Sequence, residues 1–425
     1  MNKTLKFMML IPVVTILWNN VANAQFTLSA EVRPRAEFRN GFKKPLESNM
    51  DAAFFVEQRT RLNTSFKSEK FDVFISLQDV RNWGAVSQVY KTDPTLHNIY
   101  EAWAAYNISS ASKIAVGRME LDYDNVRILG NLDWASQGRS HDLVKYEYNG
   151  EGVKFHTGIA FNQDGTTPEF GKLTNTFYNV TGNYKTMQYA WFHKDWKGSG
   201  LSVLFLNNGV QAADSSVNFS QTFGFYGTKK LGEVALEYDA YYQFGKTPTG
   251  ADLGAYMFGI NATFWKTKPH NLSVGVDYLS GDKSNTTGKS EAFDPLYGTH
   301  HKFYGFMDYF YVGNGHAGRG LIDVFAKAKF KTGGKSVLLA QAHEFLAQTE
   351  IMGESAELSS TLGTEVDLVY VLKIAPEVTL NVGYSQLFYT ESLETIKNVV
   401  DPKGASWAWA MITFKPTLFT TKTSE

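Results

Sequence analysis

The chain has 425 residues, and its 41 Lys and Arg so nearly balance its 42 Asp and Glu that the formal net charge is -1, which leaves no bulk electrostatic case for a nucleic-acid partner. It contains no cysteine, so disulfides, thiolate nucleophiles and thiolate metal sites are excluded together. Aromatic residues at 15%, 36 glycines and only 11 prolines fit a strand-rich chain with many turns.

The N-terminus reads as a secretory signal peptide over residues 1–24. Lys3 and Lys6 supply a positive start, Phe7 to Trp18 an apolar run, and Ala22-Asn23-Ala24 a small-x-small cleavage site before Gln25. After Ala24 no stretch approaches the roughly 18 apolar residues a spanning helix needs. Residues 25–425 are expected to form one continuous domain.

From Leu28 onward the apolar residues Leu28, Ala30, Val32, Pro34, Ala36 and Phe38 alternate with Ser29, Glu31, Arg33, Arg35, Glu37 and Arg39. A period of two marks a strand whose faces meet different environments. The same rule repeats along the chain and predicts strands over 27–38, 54–66, 71–80, 97–107, 112–123, 139–149, 152–163, 177–193 and 200–207. It continues over 219–229, 232–245, 254–265, 271–280, 320–331, 335–345, 362–373, 377–388 and 405–415. Eighteen is an even number. Short polar turns such as Asn149-Gly150-Glu151-Gly152 follow the even strands, and long connections such as 39–53, 124–138 and 281–319 follow the odd ones. Short turns on one rim and long loops on the other are the pattern of an outer-membrane barrel, with both termini on the periplasmic side. The predicted fold is therefore all-β: a transmembrane antiparallel β-barrel of about 18 strands, its apolar face toward outer-membrane lipid and its charged face toward a lumen. Aromatics near strand ends (Phe38, Phe66, Phe71, Tyr106, Tyr148, Tyr184, Trp191, Trp265, Tyr278, Phe330 and Trp407) are candidates for interfacial girdles.

Arginine is distributed unevenly. Of ten, only Arg319 lies beyond residue 139. Arg33 and Arg35 on the first strand and Arg59 and Arg61 on the second share a face with Glu31, Glu37 and Glu57, and antiparallel neighbours bring these rows within reach. The fifth strand changes phase after Val116; a bulge near Gly117 and Arg118 would restore it and turn Arg118, Glu120 and Asp122 to the polar face. A salt-bridged wall and a guanidinium track that receives anions are both compatible with this pattern. In the loop 281–319, His300 and His301 beside Asp294 and Asp308 fit no established metal motif, and a loop packed into the lumen on its own aromatics is expected instead. No nucleophile elbow, HExxH or phosphate-cradling loop occurs. Glu365 and Asp367, at i and i+2 on one strand face, are the carboxylate pair that would suit glycosidase chemistry.

The segments Gln78 to Gly84, Gly117-Arg118-Met119-Glu120-Leu121, Arg127-Ile128-Leu129-Gly130 with Trp134, and Gly138-Arg139-Ser140-His141-Asp142 resemble the alginate-export family of outer-membrane porins. The loop around Phe293 to Asp308 is similar to that of Bacteroidetes-type members. The resemblance implies a monomeric eighteen-stranded barrel with a cationic narrow region, to which Arg81, Arg118, Arg127 and Arg139 carry over. It implies as permeant an anionic small molecule or a polyuronate such as alginate, and as partner a periplasmic secretion assembly. No cofactor and no metal are expected. The first reading is an anion-preferring porin, not an enzyme. A barrel enzyme acting on lipid or glycan and a non-conducting surface-binding barrel stay open as alternatives.

Overall fold

The computed structural model describes residues 24–89, 97–163, 177–178, 180–283, 287–311 and 318–421. The expected leader falls almost wholly outside them. Eighteen strands build the wall. The first nine are β1 (Gln25–Asn40), β2 (Ala53–Lys67), β3 (Phe71–Asn82), β4 (His97–Asn107), β5 (Ser112–Met119), β6 (His141–Gly150), β7 (Val153–Phe161), β8 (Thr186–Trp196) and β9 (Ser199–Gln211). The rest are β10 (Val217–Leu231), β11 (Val234–Lys246), β12 (Asp252–Phe264), β13 (Asn271–Leu279), β14 (Leu321–Lys331), β15 (Ser336–Leu346), β16 (Thr361–Ala375), β17 (Val378–Tyr389) and β18 (Ser406–Phe414). Each strand pairs antiparallel with the next, and β18 closes on β1 with Arg35 opposite Met411 and Arg39 opposite Trp407. The hydrogen-bonded sheet reaches 20 strands because Lys289–Ser290 and Thr417–Thr420 add short pairings to this wall. Closure leaves no free sheet edge, which is what a strand structure needs to cross a lipid bilayer.

The alternation read from the sequence sorts side chains as expected. On β12, Tyr256, Phe258 and Ile260 are exposed on the outer wall while Ala255 and Met257 are buried. On β2, Arg59 and Arg61 are buried and Leu62 is exposed. The molecule thus carries its apolar surface outside and its packed core inside the barrel. That core consists of lumen-facing side chains and two inward-folded loops, contributing Leu121, Ile128 and Leu129 from one and Tyr304, Met307 and Phe310 from the other.

Four expectations are corrected. The strand expected over 177–193 begins at Thr186 and runs to Trp196. β5 stops at Met119 instead of 123, with unbroken register to both neighbours, so no bulge turns Arg118 inward. Gly117 has φ +126 and its missing Cβ would enter the Ala102 carbonyl, so the local phase change comes from a glycine kink at the strand end. The bulge lies instead in β4, where Ser76 pairs with Glu101 and Leu77 with Ile99, skipping Tyr100. Among the expected girdle aromatics, Phe38, Phe71, Tyr106, Tyr148, Trp265 and Phe330 are exposed, but Tyr184, Trp191 and Trp407 are buried inside the barrel. Interior aromatics pack the loops; only the outward ones can anchor at the interface.

Candidate functional site

The residues 120–140 leave the rim after β5 and cross the lumen as a strap. At one end Tyr123 Oη lies 3.0 Å from His156 Nδ1 and from Tyr189 Oη, and Asp124 accepts from Trp191 Nε1 at 3.0 Å and from Ser202 Oγ at 2.5 Å. Val126, a β-branched residue at φ 64, makes a strained left-handed turn. That turn places Arg127 against the far wall. Its guanidinium donates to Asp277 on β13 at 2.7 and 2.9 Å, to Asp239 on β11 at 3.3 Å and to Tyr304 Oη at 2.9 Å, and stacks 3.8 Å from the Phe303 ring centroid. Burial opposes the charge on Arg127, but Asp239 and Asp277 outweigh it and hold the group well above its ordinary range.

The other end of the strap lies on the arginine wall. Arg33 donates to the Asp133 carbonyl at 2.8 Å, Arg35 to the Trp134 carbonyl at 2.8 Å, and Arg59 to the Asp133 carboxylate at 2.8 Å. Glu31 accepts from Arg59 Nε at 2.7 Å, and Glu57 from Arg35 at 2.9 Å and Ser136 Oγ at 2.6 Å. Arg61 donates to Gln78 at 2.7 Å and lies 3.5 Å over the Tyr100 ring. Burial alone would raise the Asp133 carboxyl, yet Arg59 and Arg33 hold it below the ordinary carboxylate range. Glu37 is shared by Arg35, Arg39 and Trp407 Nε1. Arg33, Arg35, Arg59 and Arg61 are all buried. The guanidiniums therefore meet the protein's own carboxylates and carbonyls, an arrangement in which paired charges offset their desolvation.

The second loop, 287–311, packs on the strap. Arg139 donates to Gly298 O at 2.8 Å, Gly130 N–H to Tyr297 O at 2.9 Å, and Thr299 N–H to Val126 O at 2.9 Å. His301 stacks on Trp134 with centroids 4.4 Å apart and planes at 9°, while Arg35 lies 4.3 Å from the same ring. Met307 N–H donates to Glu365 at 2.8 Å, and Tyr309 Oη donates to Gly41 O at 2.6 Å. The short helix α1 (Glu391–Lys397) caps the stack: the Lys397 ammonium donates to Tyr309 O. His300 and His301 take protein partners, Tyr311 O and Asp308, and among the described residues no cluster of His, Asp and Glu could hold a metal. Glu365 and Asp367 are fully buried; Glu365 accepts from Met307 and Asp367 from Gln341. They anchor wall and loop, Asp367 at the edge of an interior cavity.

A family model described as alginate export matches residues 24–400. The chain belongs to the alginate export family. No curated protein sequence matches it. Its fold is that of solved outer-membrane porins: OpdK of Pseudomonas aeruginosa with vanillate (TM-score 0.59, 8% identity, 92% of this chain and 98% of that one) and OccK2 (OpdF) of the same organism with glucuronate (0.59, 11%, 93% and 97%). A BenF-like porin of Pseudomonas fluorescens Pf-5 is similar to the same degree (0.59, 12%, 92% and 99%). Family and fold together make this an outer-membrane channel and not an enzyme.

Within this alginate-export barrel the predicted site residues separate into three groups. Arg33, Arg35, Arg59, Arg61, Glu31 and Glu57 come together under Asp133 and Trp134; Arg127 and Arg139 each clamp a loop elsewhere in the lumen. Arg81 and Arg118 do neither. Both sit on the outward parity of the wall near the long-loop rim, Arg81 paired with Asp79 at 2.6 Å and Arg118 with Asp142 at 2.8 Å. Sequence reasoning also missed most of the acidic wall, where Asp239, Asp277, Asp323 and His343 line β11 to β15 beside Glu365 and Asp367, which it had read only as a carboxylate pair. Their signal was present: each is a charged or polar residue at a lumen parity in mid-strand. Between that wall and the loops lie two cavities of about 190 and 230 Å³, the first lined by Arg127, Lys302 and Lys327 facing Glu237, Asp239 and Asp277, the second by Phe306, Lys327, Lys329, Gln341 and Asp367.

Proposed function

We propose that this channel passes small anionic solutes, of the size of a single sugar acid or aromatic acid, across the outer membrane. The observation that carries the proposal is the pair of inward loops. The strap 120–140 and the loop 287–311 fill the middle of the barrel with a packed aromatic core, so the interior spaces have the dimensions of small molecules, and their lining sets Arg127, Lys302, Lys327 and Lys329 among Glu237, Asp239, Asp277 and Asp367. Inward loops set the size of the permeant. The ligands in two similar barrels, vanillate and glucuronate, are both carboxylates of this size. The buried arginine wall supports the reading indirectly, by holding the strap that shapes the path. A long polyuronate would require both loops to move, and for that reason we place the small acid first.

Proteoliposomes holding the mature protein test this. Glucuronate should enter faster than glucose, which has nearly the same size and no charge, while a polyuronate chain should remain excluded. Equal rates for glucuronate and glucose would remove the anionic reading, and passage of the polymer would remove the size argument.

A further inference from the structure

Arg81 and Arg118 do not reach the lumen, and the outer surface they do reach has a shape of its own. Going up β3 on the outward parity, Phe71, Val73, Ile75 and Leu77 give way to Asp79 and Arg81, with Trp83 just beyond the strand. On β5 the outward Ile114 and Val116 give way to Arg118. The apolar wall therefore ends at these residues, on the long-loop side, where the headgroups of the outer leaflet begin. Trp83 is exposed there and its Nε1 donates to Gln58 Oε1 at 3.0 Å, the placement of an interfacial tryptophan. Just below this line the wall is not smooth. The bulge that skips Tyr100 bends β4, and a groove of about 480 Å³ opens on the outside along the exposed Leu62, Leu77 and Ile99, with Thr60 and Asp79 at its upper end. Both arginines hold residues that line it. Arg81 forks onto Asp79 at 2.6 and 2.7 Å. Arg118 Nη1 donates to the Ile99 carbonyl at 3.2 Å, while its Nε and Nη2 fork onto Asp142 at 2.8 Å each. Arg118 thus uses Nε and one N–H of each terminal nitrogen; among the described residues the second N–H of Nη1 and of Nη2 takes no partner. Its side chain is 43% exposed, and the bidentate pair with Asp142 fixes the plane of the guanidinium beside the groove.

We propose that this groove and the Arg118 guanidinium form a binding site for a phosphorylated glycolipid of the outer leaflet. An acyl chain lies along Leu62, Leu77 and Ile99, and a phosphate sits on Arg118 with Arg81 at the other margin. The site is independent of what passes through the lumen. Hydrocarbon alone cannot select one lipid, because any lipid tail is as apolar as leucine, so selection comes from the headgroup. The planar fork of arginine matches phosphate oxygens, and a phosphate monoester carries more negative charge than one carboxylate, so it can share the guanidinium with Asp142. Topology chooses the leaflet, since the groove opens on the side of the long, extracellular loops. Without the lipid, Asp79 and Asp142 neutralise the two guanidiniums, which keeps an outward charge tolerable at the edge of the bilayer. Free inorganic phosphate is the less fitting occupant, because it would leave the apolar floor of the groove unused.

The test measures, by native mass spectrometry of the mature protein in detergent micelles, the retention of bis-phosphorylated lipid A and of the same lipid with its phosphates removed. The unmodified protein should retain the phosphorylated form about tenfold more strongly, the effect of one charge-assisted pair. Arg81→Gln/Arg118→Gln should lose that preference. Lys229→Gln, the same charge change on the outward parity of β10 at the periplasmic rim, should keep it. Leu77→Trp, which fills the groove and leaves both arginines in place, should weaken retention of the phosphorylated lipid several-fold. Thermal unfolding without lipid checks that each variant is folded, and if the double variant is not, Leu77→Trp decides. Equal retention of the two lipid forms by the unmodified protein, a preference that survives in the double variant, or unchanged retention in Leu77→Trp overturns the site.

Discussion

Replacing Arg127 with methionine should release the loop 287–311 from the wall without opening the barrel. Methionine keeps much of the apolar stem and removes the charge. What it leaves behind is two carboxylates, Asp239 and Asp277, whose side chains are 2% and 4% exposed, together with the lost bonds to Tyr304 Oη and the lost stacking on Phe303. Breaking a buried ion pair from one side costs about 3–5 kcal/mol, and each 1.4 kcal/mol is about tenfold in an equilibrium. Lifting the loop lets water reach both carboxylates, so the cost should appear as a rise of about a hundredfold or more in the lifted population. The chain has no native cysteine, which makes a single introduced thiol a clean reporter. Met307, a fully buried residue of the loop itself, is the position for it. The maleimide labelling rate of Met307→Cys should rise by that factor when Arg127→Met is added. Adding Asp239→Asn and Asp277→Asn as well should return most of the protection, because no uncompensated charge remains. Equal labelling in the first two proteins would refute the assignment of Arg127 as the clamp.

The docking of α1 should depend on pH. Burial, and then the nearby Lys43, push the Lys397 ammonium down from an ordinary 10.5 to about 7; the released helix binds more protons between those values, so docking strengthens as pH rises from about 7 toward 10.5 and is weakest below 7. Hydrogen exchange in residues 391–398, corrected for intrinsic rate, should slow over that window, and Lys397→Met should show no such trend. Charge reversal at Arg118 should leave ion selectivity unchanged because Arg118 and Asp142 face outward, whereas Asp133→Asn should increase anion preference by removing a carboxylate from among Arg33, Arg59 and Arg61; reversal potentials decide both. The exported protein should begin at Gln25, and N-terminal sequencing of the outer-membrane form that found Met1 would contradict the leader.

The wall was legible because its physics is local. Parity along each strand is set by which face meets lipid, and loop length by which rim the turn occupies, so strand number and the inward arginines of β1 and β2 follow from spacing alone. Arg81 and Arg118 were misplaced for an equally local reason: at the rim both faces of a strand are wet, and an ion pair such as Asp79 with Arg81 sits as well outside as in. The partners of the arginine wall were not legible. Asp133 is about a hundred residues from Arg33 in sequence, and only the strap crossing the lumen brings them together. The same holds for Trp407, read as an interfacial aromatic and found as the Glu37 donor beneath Trp134. Mid-strand acids at lumen parity on β11 to β16 carried a readable signal, which the concentration of arginines at the other end of the chain obscured.

The proposed function, a channel for small anionic solutes, is tested most directly by the reversal potential of the mature protein in a planar bilayer under a KCl gradient. The account predicts a potential of the sign set by chloride, shrinking as the salt on both sides is raised. A potential of the sign set by potassium would contradict it.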